Sequence, residues 1–260
     1  MEMSDRIESQ RGPKIEKQPI VAGARMNEPE TYAPLERTPY AELFSVDDRT
    51  NSLVGSIAER VGRAIIEGEL KPGTDLNSVE LAQRFNASRT PVREALMLLE
   101  KEGIVTIPPR RRPFVAETGP DEIRDIFVVR ANLYSLAAEL IAQNATHEQI
   151  ELIEQAACKQ EEALRSGDVD AAFWAILAFE DMVIESSGNQ ALKRTVAPLR
   201  IRTLRLLRQF LTSDRAQEAR TEDTLRMVQA LRERDARLAA ELYRSMLLST
   251  FNLLQRPNAP

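Results

Sequence analysis

Two arginines spaced one helical turn apart carry the most specific chemistry in this sequence. Arg89 and Arg93 lie in the stretch SRTPVREAL, and their spacing of four places both guanidinium groups on one face of a helix. A guanidinium group donates paired hydrogen bonds to guanine edges or to phosphate oxygens. Ser88 and Thr90 add hydroxyl groups where the free N–H groups of a helix start favour a phosphate. These residues are typical of a helix N-terminus that contacts nucleic acid.

The same stretch also has a simpler interpretation. Val92, Leu96 and Leu99 fall on the opposite side of the helix and predict a buried face, while Pro91 is tolerated in the first turn. A capped surface helix with two solvated arginines would have this pattern as well. The stretch alone does not separate the two interpretations, so the neighbouring elements decide.

Those neighbours predict a winged helix-turn-helix over residues 49–117. A helix runs from about Asn51 to Gly68, a short helix follows a cap at Asn77, and Ser88 begins the helix that ends at Gly103. Two short apolar runs, 105–107 and 114–116, then flank the sequence PPRRRP and predict a hairpin with a basic tip. This order of elements favours DNA binding over a merely solvated helix.

Charge gives modest support for a polyanionic partner. Residues 49–116 hold eleven basic and eight acidic residues, whereas the whole chain has a net charge of −5. A basic region in an acidic chain indicates where such a partner would bind.

The rest of the chain is mainly α-helical, and residues 118–256 predict a helical bundle. We expect about six helices, at 120–143, 147–166, 168–187, 189–211, 214–233 and 235–254. Thr146 and Gln149 form a capping box, and Pro198 should kink or split the fourth helix. The predicted fold class is therefore mainly α, with an N-terminal winged helix-turn-helix.

Residues 1–48 contain five prolines among scattered charges and predict a disordered tail. The single cysteine, Cys158, cannot form an intramolecular disulfide. No apolar run is long enough for a membrane span or a signal peptide, so we expect a cytoplasmic protein without a membrane partner.

The first domain resembles a known family. The stretch IIEGELKPGTDLNSVELAQRFNASRTPVREALMLLEKEGIVTIPPRRRPFV is similar to the N-terminal domain of GntR-type bacterial transcription regulators, and SRTPVREAL is a specific signature. The helical remainder resembles the FCD sensor domain of the FadR-like branch, through FEDMVIESSGNQAL and TEDTLRMVQALRERDARLAAELYRSM. Together the two likenesses cover roughly residues 53–254.

This resemblance implies a homodimer that binds double-stranded operator DNA with two inverted half-sites. It implies that Arg89 and Arg93 read guanines and that Ser88 and Thr90 lie near phosphates. It also implies that the hairpin forms a wing that reaches DNA. We expect Arg110 and Arg111 to make the wing contacts, although Arg112 and Pro113 stand where glycine would help the turn.

The resemblance also implies a metal site in many sensor domains of this branch, built from one Asp and three His. The aligned positions here are Ile176, Glu180, Asp223 and Met246, and the single histidine, His147, lies in a predicted helix cap. Isoleucine cannot ligate and methionine is a poor ligand for a hard ion. We therefore expect no metal and no cofactor.

A small effector would bind in the bundle centre, according to the same resemblance. We expect the effector-binding residues to be Arg130, Glu180, Arg202 and Asp223, since a buried Arg needs an anionic partner. That partner is an anionic effector or, equally, Glu180 and Asp223 themselves, which would close a polar core. The sequence leaves both alternatives open.

Three classes of function follow. The favoured class is a ligand-responsive DNA-binding transcription regulator, a repressor under the control of a small anionic effector. An enzyme using the Glu180 and Asp223 carboxylates as an acid/base pair is an alternative without a supporting motif, and the chain is predicted not to be an enzyme. A helical protein-interaction module is the third.

Overall fold

The computed structural model of the chain describes residues 40, 43, 44, 52–213 and 221–255. Its N-terminal part has the predicted order of elements: α1 (Ser52–Ile66), α2 (Ser78–Arg84), α3 (Arg89–Lys101), β1 (Val105–Thr106) and β2 (Phe114–Val115). The fold is mainly α, as predicted.

Helix α3 packs on α1 through the face that the periodicity predicts. Val92, Leu96 and Leu99 are completely buried, and Val54 and Ile57 of α1 belong to the same core. The burial of this apolar stripe fixes the direction in which the opposite face of α3 points, because a rigid helix turns as a unit.

The two strands of the hairpin pair in antiparallel register, Val105 with Val115 and Thr106 with Phe114. The segment 73–76, for which the sequence predicts no element, pairs along the outer side of β2. The Val115 N–H donates to the Thr74 carbonyl at 3.0 Å, and the Leu76 N–H donates to the Pro113 carbonyl at 2.7 Å. These bonds tie the hairpin to the helices, since a two-stranded hairpin is marginally stable alone.

The C-terminal part is a helical bundle. Its helices are α4 (Pro120–Asn144), α5 (His147–Ser166), α6 (Val169–Ser186), α7 (Gln190–Ile201), α8 (Leu204–Leu211), α9 (Thr221–Arg232) and α10 (Ala236–Gln255). The predicted helices 120–143, 147–166 and 168–187 are confirmed to within a residue or two. Of the predicted helix 214–233, residues 214–220 lie outside the described part of the chain.

The predicted fourth helix is split, as its proline suggested, but the break lies after the proline. Helix α7 continues past Pro198 to Ile201, and α8 begins at Leu204. Between them the Thr203 N–H and its hydroxyl both donate to the Arg200 carbonyl, each at 2.9 Å. This tight turn redirects the chain and places the Thr203 side chain in the bundle.

Tyr40, Leu43 and Phe44 correct the prediction of a disordered tail over residues 1–48. All three are buried between the N-terminal domain and the bundle, with Phe44 only 1% exposed. The Tyr40 ring lies edge-on to Trp174 with centroids 4.8 Å apart, and its hydroxyl donates to Glu67 at 3.2 Å. The three side chains have helical spacing, so they form one apolar stripe that the density of prolines concealed. The other residues of 1–48 lie outside the described residues.

The bundle has its own core around two stacked tyrosines. The ring centroids of Tyr134 on α4 and Tyr243 on α10 are 5.0 Å apart, the rings are nearly parallel, and both residues are fully buried.

Across residues 52–213 and 221–255, no helix is both long and apolar enough to cross a membrane.

Candidate DNA interface and sensor-domain centre

The N-terminus of α3 presents four polar side chains to solvent. Ser88 occupies the cap position in extended conformation but makes no capping hydrogen bond with its side chain, and Arg89, Thr90 and Arg93 are exposed beside it. The side-chain hydroxyl of Ser88 therefore leaves the helix-start N–H groups to an external acceptor. Such groups, with their positive end of the helix dipole, favour an anion.

One groove brings the arginines of α3 together with those of the hairpin. The groove has a volume of about 760 Å³ and is lined by Arg89, Arg93, Arg111 and Arg112, together with Met97. Arg112 was not among the predicted DNA contacts, but it shares the groove because the hairpin lies against α3, where the Ile107 N–H donates to Glu100. Arg110 lines a neighbouring open cavity with Asp75 and Phe114.

The turn of the hairpin explains why Arg110 differs from its neighbours. The Arg111 N–H donates to the Pro108 carbonyl at 3.3 Å, and Arg110 has a φ of +59°. A proline followed by a residue with positive φ is the pattern of a type II turn, in which the second position favours glycine. The residue that replaces glycine is therefore Arg110, and not Arg112 or Pro113 as the resemblance suggested. Its side chain is held outward at some cost in backbone energy.

In the sensor domain, Arg130 and Glu180 form a buried ion pair. Arg130 Nη2 lies 3.1 Å and 3.0 Å from the two Glu180 carboxylate oxygens, and both side chains are 5% exposed. Arg130 Nη1 donates to Thr203 Oγ1 at 2.7 Å, and the Tyr134 hydroxyl donates to Glu180 at 3.1 Å. Of the two sequence-based alternatives, this geometry matches the closed polar core for Arg130 and Glu180.

The charges of this centre are mutually compensated. Burial acts to lower the pKa of Arg130, but the Glu180 carboxylate and Tyr134 outweigh it, so the pKa is raised and the guanidinium stays charged. Burial, and after it Glu180, raises the pKa of the Tyr134 hydroxyl, which therefore stays protonated. A buried pair of this kind needs these partners, because an isolated buried charge is costly.

The structure places Arg202 outside this centre. Its guanidinium pairs with Glu122 at the start of α4, and its side chain lies over Gly103, where an added Cβ would be 2.9 Å from Arg202 Cδ. Arg202 follows the break after α7, so the turn directs it to the junction between the two domains. The expectation that Arg202 faces the bundle centre is wrong, and Arg200, which was not predicted as a site residue, lies near Glu180 instead.

Asp223 is also separate from Arg130 and Glu180. Its side chain is 37% exposed and its ionic partner is Arg226, at 4.0 Å on the same helix. The next residue, Thr224, takes the buried position and donates to Met246 Sδ at 3.3 Å. The four predicted effector residues therefore have separate ionic partners: Arg130 pairs with Glu180, Arg202 with Glu122 and Asp223 with Arg226.

The residues aligned with the metal site of the branch do not fit a metal. Ile176 is buried in the core at the domain junction, Glu180 is bonded to Arg130, and Met246 accepts the Thr224 hydroxyl. Among the residues that the structure describes, no three His, Cys, Asp or Glu side chains lie together so as to hold a metal ion.

Two known protein families match separate regions of the chain. The family described as bacterial regulatory proteins, gntR family, matches residues 53–115, and the FCD domain family matches residues 125–249. The chain thus combines a GntR-type helix-turn-helix domain with an FCD domain.

Several known proteins are similar to the chain. It is 30% identical to the HTH-type transcriptional regulator YdhC of Bacillus subtilis over 50% of this chain and 59% of that protein. It is 28% identical to the HTH-type transcriptional repressor RspR of Escherichia coli over 53% of this chain and 60% of that protein. The matches thus span about 60% of the length of these relatives. The solved structure of E. coli McbR/YncC has the same fold, with a TM-score of 0.66 and 23% identity over 79% of this chain and 98% of the other.

Proposed function

We propose that the protein is a ligand-responsive transcription regulator that binds double-stranded operator DNA through α3 and the hairpin. The single observation that carries the proposal is the shared groove of Arg89, Arg93, Arg111 and Arg112. Helix α3 enters the major groove with its N-terminal residues on base edges, where Arg89 and Arg93 meet guanines. Ser88 and Thr90 contact phosphates, and the hairpin with Arg110, Arg111 and Arg112 follows the backbone or the adjacent minor groove.

The regulator acts as a homodimer on two inverted half-sites. GntR regulators bind operator DNA and typically form dimers, and one α3 per copy reads one half-site. An apolar stripe on α4 supports a second copy as its occupant. Val129 and Leu136 are 47% and 41% exposed and seven residues apart on one face, with the partly buried Leu133 and Leu140 along the same line. Exposed apolar residues in a row favour contact with another protein.

Control by a small molecule rests on the FCD domain, and repression is the mode that we propose, as in the relative named a repressor. An anionic effector at Arg130 has less support than the resemblance suggested, because Glu180 and Thr203 already bond the two terminal nitrogens of its guanidinium. The proposed place of action is the cytoplasm, where chromosomal DNA lies.

Fluorescence anisotropy with DNA from upstream of its own gene tests the proposal. Specific binding should exceed binding to a shuffled duplex by at least about a thousandfold at physiological salt. Equal affinity for both duplexes would contradict it. Light scattering measures the oligomeric state. Val129→Glu should give a monomer. Val128, at the neighbouring position, is 44% exposed, and Val128→Glu is the control that should weaken the dimer less.

A further inference from the structure

A cavity of about 500 Å³ lies between α6 and α7, and its wall includes Arg200, which lies near Glu180. Two ion pairs form its polar wall: Asp181 with Arg200, and Glu185 with Lys193. Trp174, Leu177 and Val196 supply apolar wall. A volume of this size is within the range of roughly 300–1,000 Å³ that small-molecule pockets have.

The polar wall has unused bonding capacity. Arg200 is 9% exposed and its Nη1 lies 2.5 Å from Asp181 Oδ1, yet its buried Nε has no hydrogen-bond partner among the described residues. Buried polar atoms are normally bonded, so this Nε has a donor free for a molecule in the cavity. The Asp181, Glu185 and Lys193 side chains are between 51% and 57% exposed, so solvent and solutes reach them.

The charge balance of the wall selects the ligand class. Two carboxylates and two cations line the cavity, which makes it neutral overall. A simple anion at Arg200 and Lys193 would lie beside the Asp181 and Glu185 carboxylates, which repel it. A zwitterion avoids that repulsion, because its carboxylate bonds the two cations while its ammonium bonds the two acids. An apolar substituent would then cover Trp174 and Leu177.

The cavity is connected to both the bundle centre and the domain junction. The Arg200 carbonyl accepts the hydroxyl of Thr203, and the same hydroxyl oxygen accepts a hydrogen bond from Arg130. Leu43 also lines the cavity and belongs to the buried stripe with Tyr40 and Phe44. Phe44 lies against Gly62 of α1 in the DNA-binding domain. A molecule in the cavity would thus touch the segment that packs on that domain.

We propose that the α6–α7 cavity is the effector site and that it binds a small zwitterion with an apolar side chain, of the class of the α-amino acids. The proposal rests on the proposed function, which it deepens by naming the site and the ligand class. The proposed effector site is therefore this cavity and not the Arg130–Glu180 pair, whose charges already compensate each other.

Titration of the full chain with apolar amino acids tests this site. Trp174 is the only tryptophan of the chain and lines the cavity, so its emission reports occupancy. We would use L-alanine, L-valine, L-leucine, L-methionine and L-phenylalanine singly, with calorimetry as the second readout. At least one should bind, and its deaminated acid and its decarboxylated amine should each bind at least tenfold more weakly. Binding by none of the five, or equal binding by the acid or the amine, would overturn the proposal.

Two matched variants locate the site. Ala178 is exposed and lines the cavity, whereas Ala171 is exposed on the same helix and does not line it. Ala178→Phe should abolish the emission change and the heat, and Ala171→Phe should leave both unchanged. Retained binding in Ala178→Phe would overturn the location. Operator affinity of the ligand-free native protein is measured in parallel. If the native protein does not bind the operator, the proposed function is contradicted. If it binds the operator but none of the amino acids, only the proposed effector site is contradicted.

Discussion

Arg208 on α8 reaches across the domain junction to Glu67 at the end of α1, with Nη2 and Oε1 3.8 Å apart. The same guanidinium pairs with Asp170 and lies over the Phe173 ring at 5.0 Å from its centroid. Arg208 thus makes a hydrogen bond and a cation–π contact within the sensor domain and a longer ion pair to the DNA-binding domain.

The first prediction concerns this junction. Arg208→Gln should lower the free energy of unfolding by about 1–2 kcal/mol, because it removes a charged hydrogen bond and a cation–π contact. Arg165→Gln is the control, since Arg165 is 72% exposed and pairs with Glu161 one turn away on the same helix. That pair should contribute less than about 0.5 kcal/mol. Urea denaturation measures both, and equal effects would show that Arg208 does not stabilise the junction.

The second prediction concerns base recognition. Arg89→Ala and Arg93→Ala should each weaken specific operator binding by about 1–3 kcal/mol, because each loses a paired contact with guanine. Both residues are exposed, so the melting temperature should stay unchanged. Arg194→Ala, an exposed arginine on α7, is the control for the loss of one charge. Near-native affinity in both variants would exclude α3 as the recognition helix.

The third prediction concerns the hairpin. Replacing Arg110 and Arg111 together with Ala should weaken binding to all sequences and reduce the slope of log affinity against log salt by roughly one to two units. Adding Arg112→Ala should reduce it further, since Arg112 shares the groove with Arg89 and Arg93. Anisotropy titrations over a range of salt measure the slope. A slope that does not change would place the hairpin outside the interface.

The fourth prediction separates a structural from a ligand-binding role of the Arg130–Glu180 pair. Glu180→Gln should lower stability by about 3–5 kcal/mol, because it leaves the buried Arg130 uncompensated. The double variant Arg130→Met with Glu180→Leu should recover much of that loss, because no charge then stays buried without a partner. Urea denaturation of the two variants tests this. If Glu180→Gln costs nothing, the pair is open to solvent or ligand.

The fifth prediction concerns alkaline pH. Burial raises the pKa of the Tyr134 hydroxyl above its ordinary value of about 10 in an unfolded chain. Above about pH 10 the unfolded chain therefore loses a proton that the folded chain keeps, and stability falls as the pH rises. Tyr134→Phe should make this decline less steep while leaving its direction unchanged, because Tyr40 is buried with a raised pKa as well. Measurement of the free energy of unfolding of both proteins between pH 8 and about pH 11 tests this prediction.

Much of the DNA-binding domain was predictable because its signals are local. The spacing of Val92, Leu96 and Leu99 defines the buried face of α3, and the exposed position of Arg89 and Arg93 follows from the same period. The capping box of Thr146 and Gln149 was also confirmed, since it depends on residues three positions apart. Such patterns need no knowledge of distant partners.

The positions that were wrong or overlooked depend on long-range geometry. Whether Arg200 or Arg202 faces the bundle depends on where the chain turns after Pro198, and the sequence pattern does not place that turn at Thr203. The same holds for Asp223 and Thr224, where an offset of one residue rotates the side chain by about 100° around the helix axis. Arg112 enters the groove only because the hairpin lies against α3.

Gly62 makes α1 intolerant of the substitution that ordinarily stabilises a helix. It lies in the interior of a helix, where Ala would ordinarily be about 1 kcal/mol more favourable. A Cβ at this position would lie 2.2 Å from Phe44 Cζ, so the ring occupies the space of the missing side chain. A helix-stabilising substitution would therefore displace the aromatic ring that joins the two domains. A substitution chosen to stabilise α1 as an isolated helix would therefore weaken the packing between the two domains.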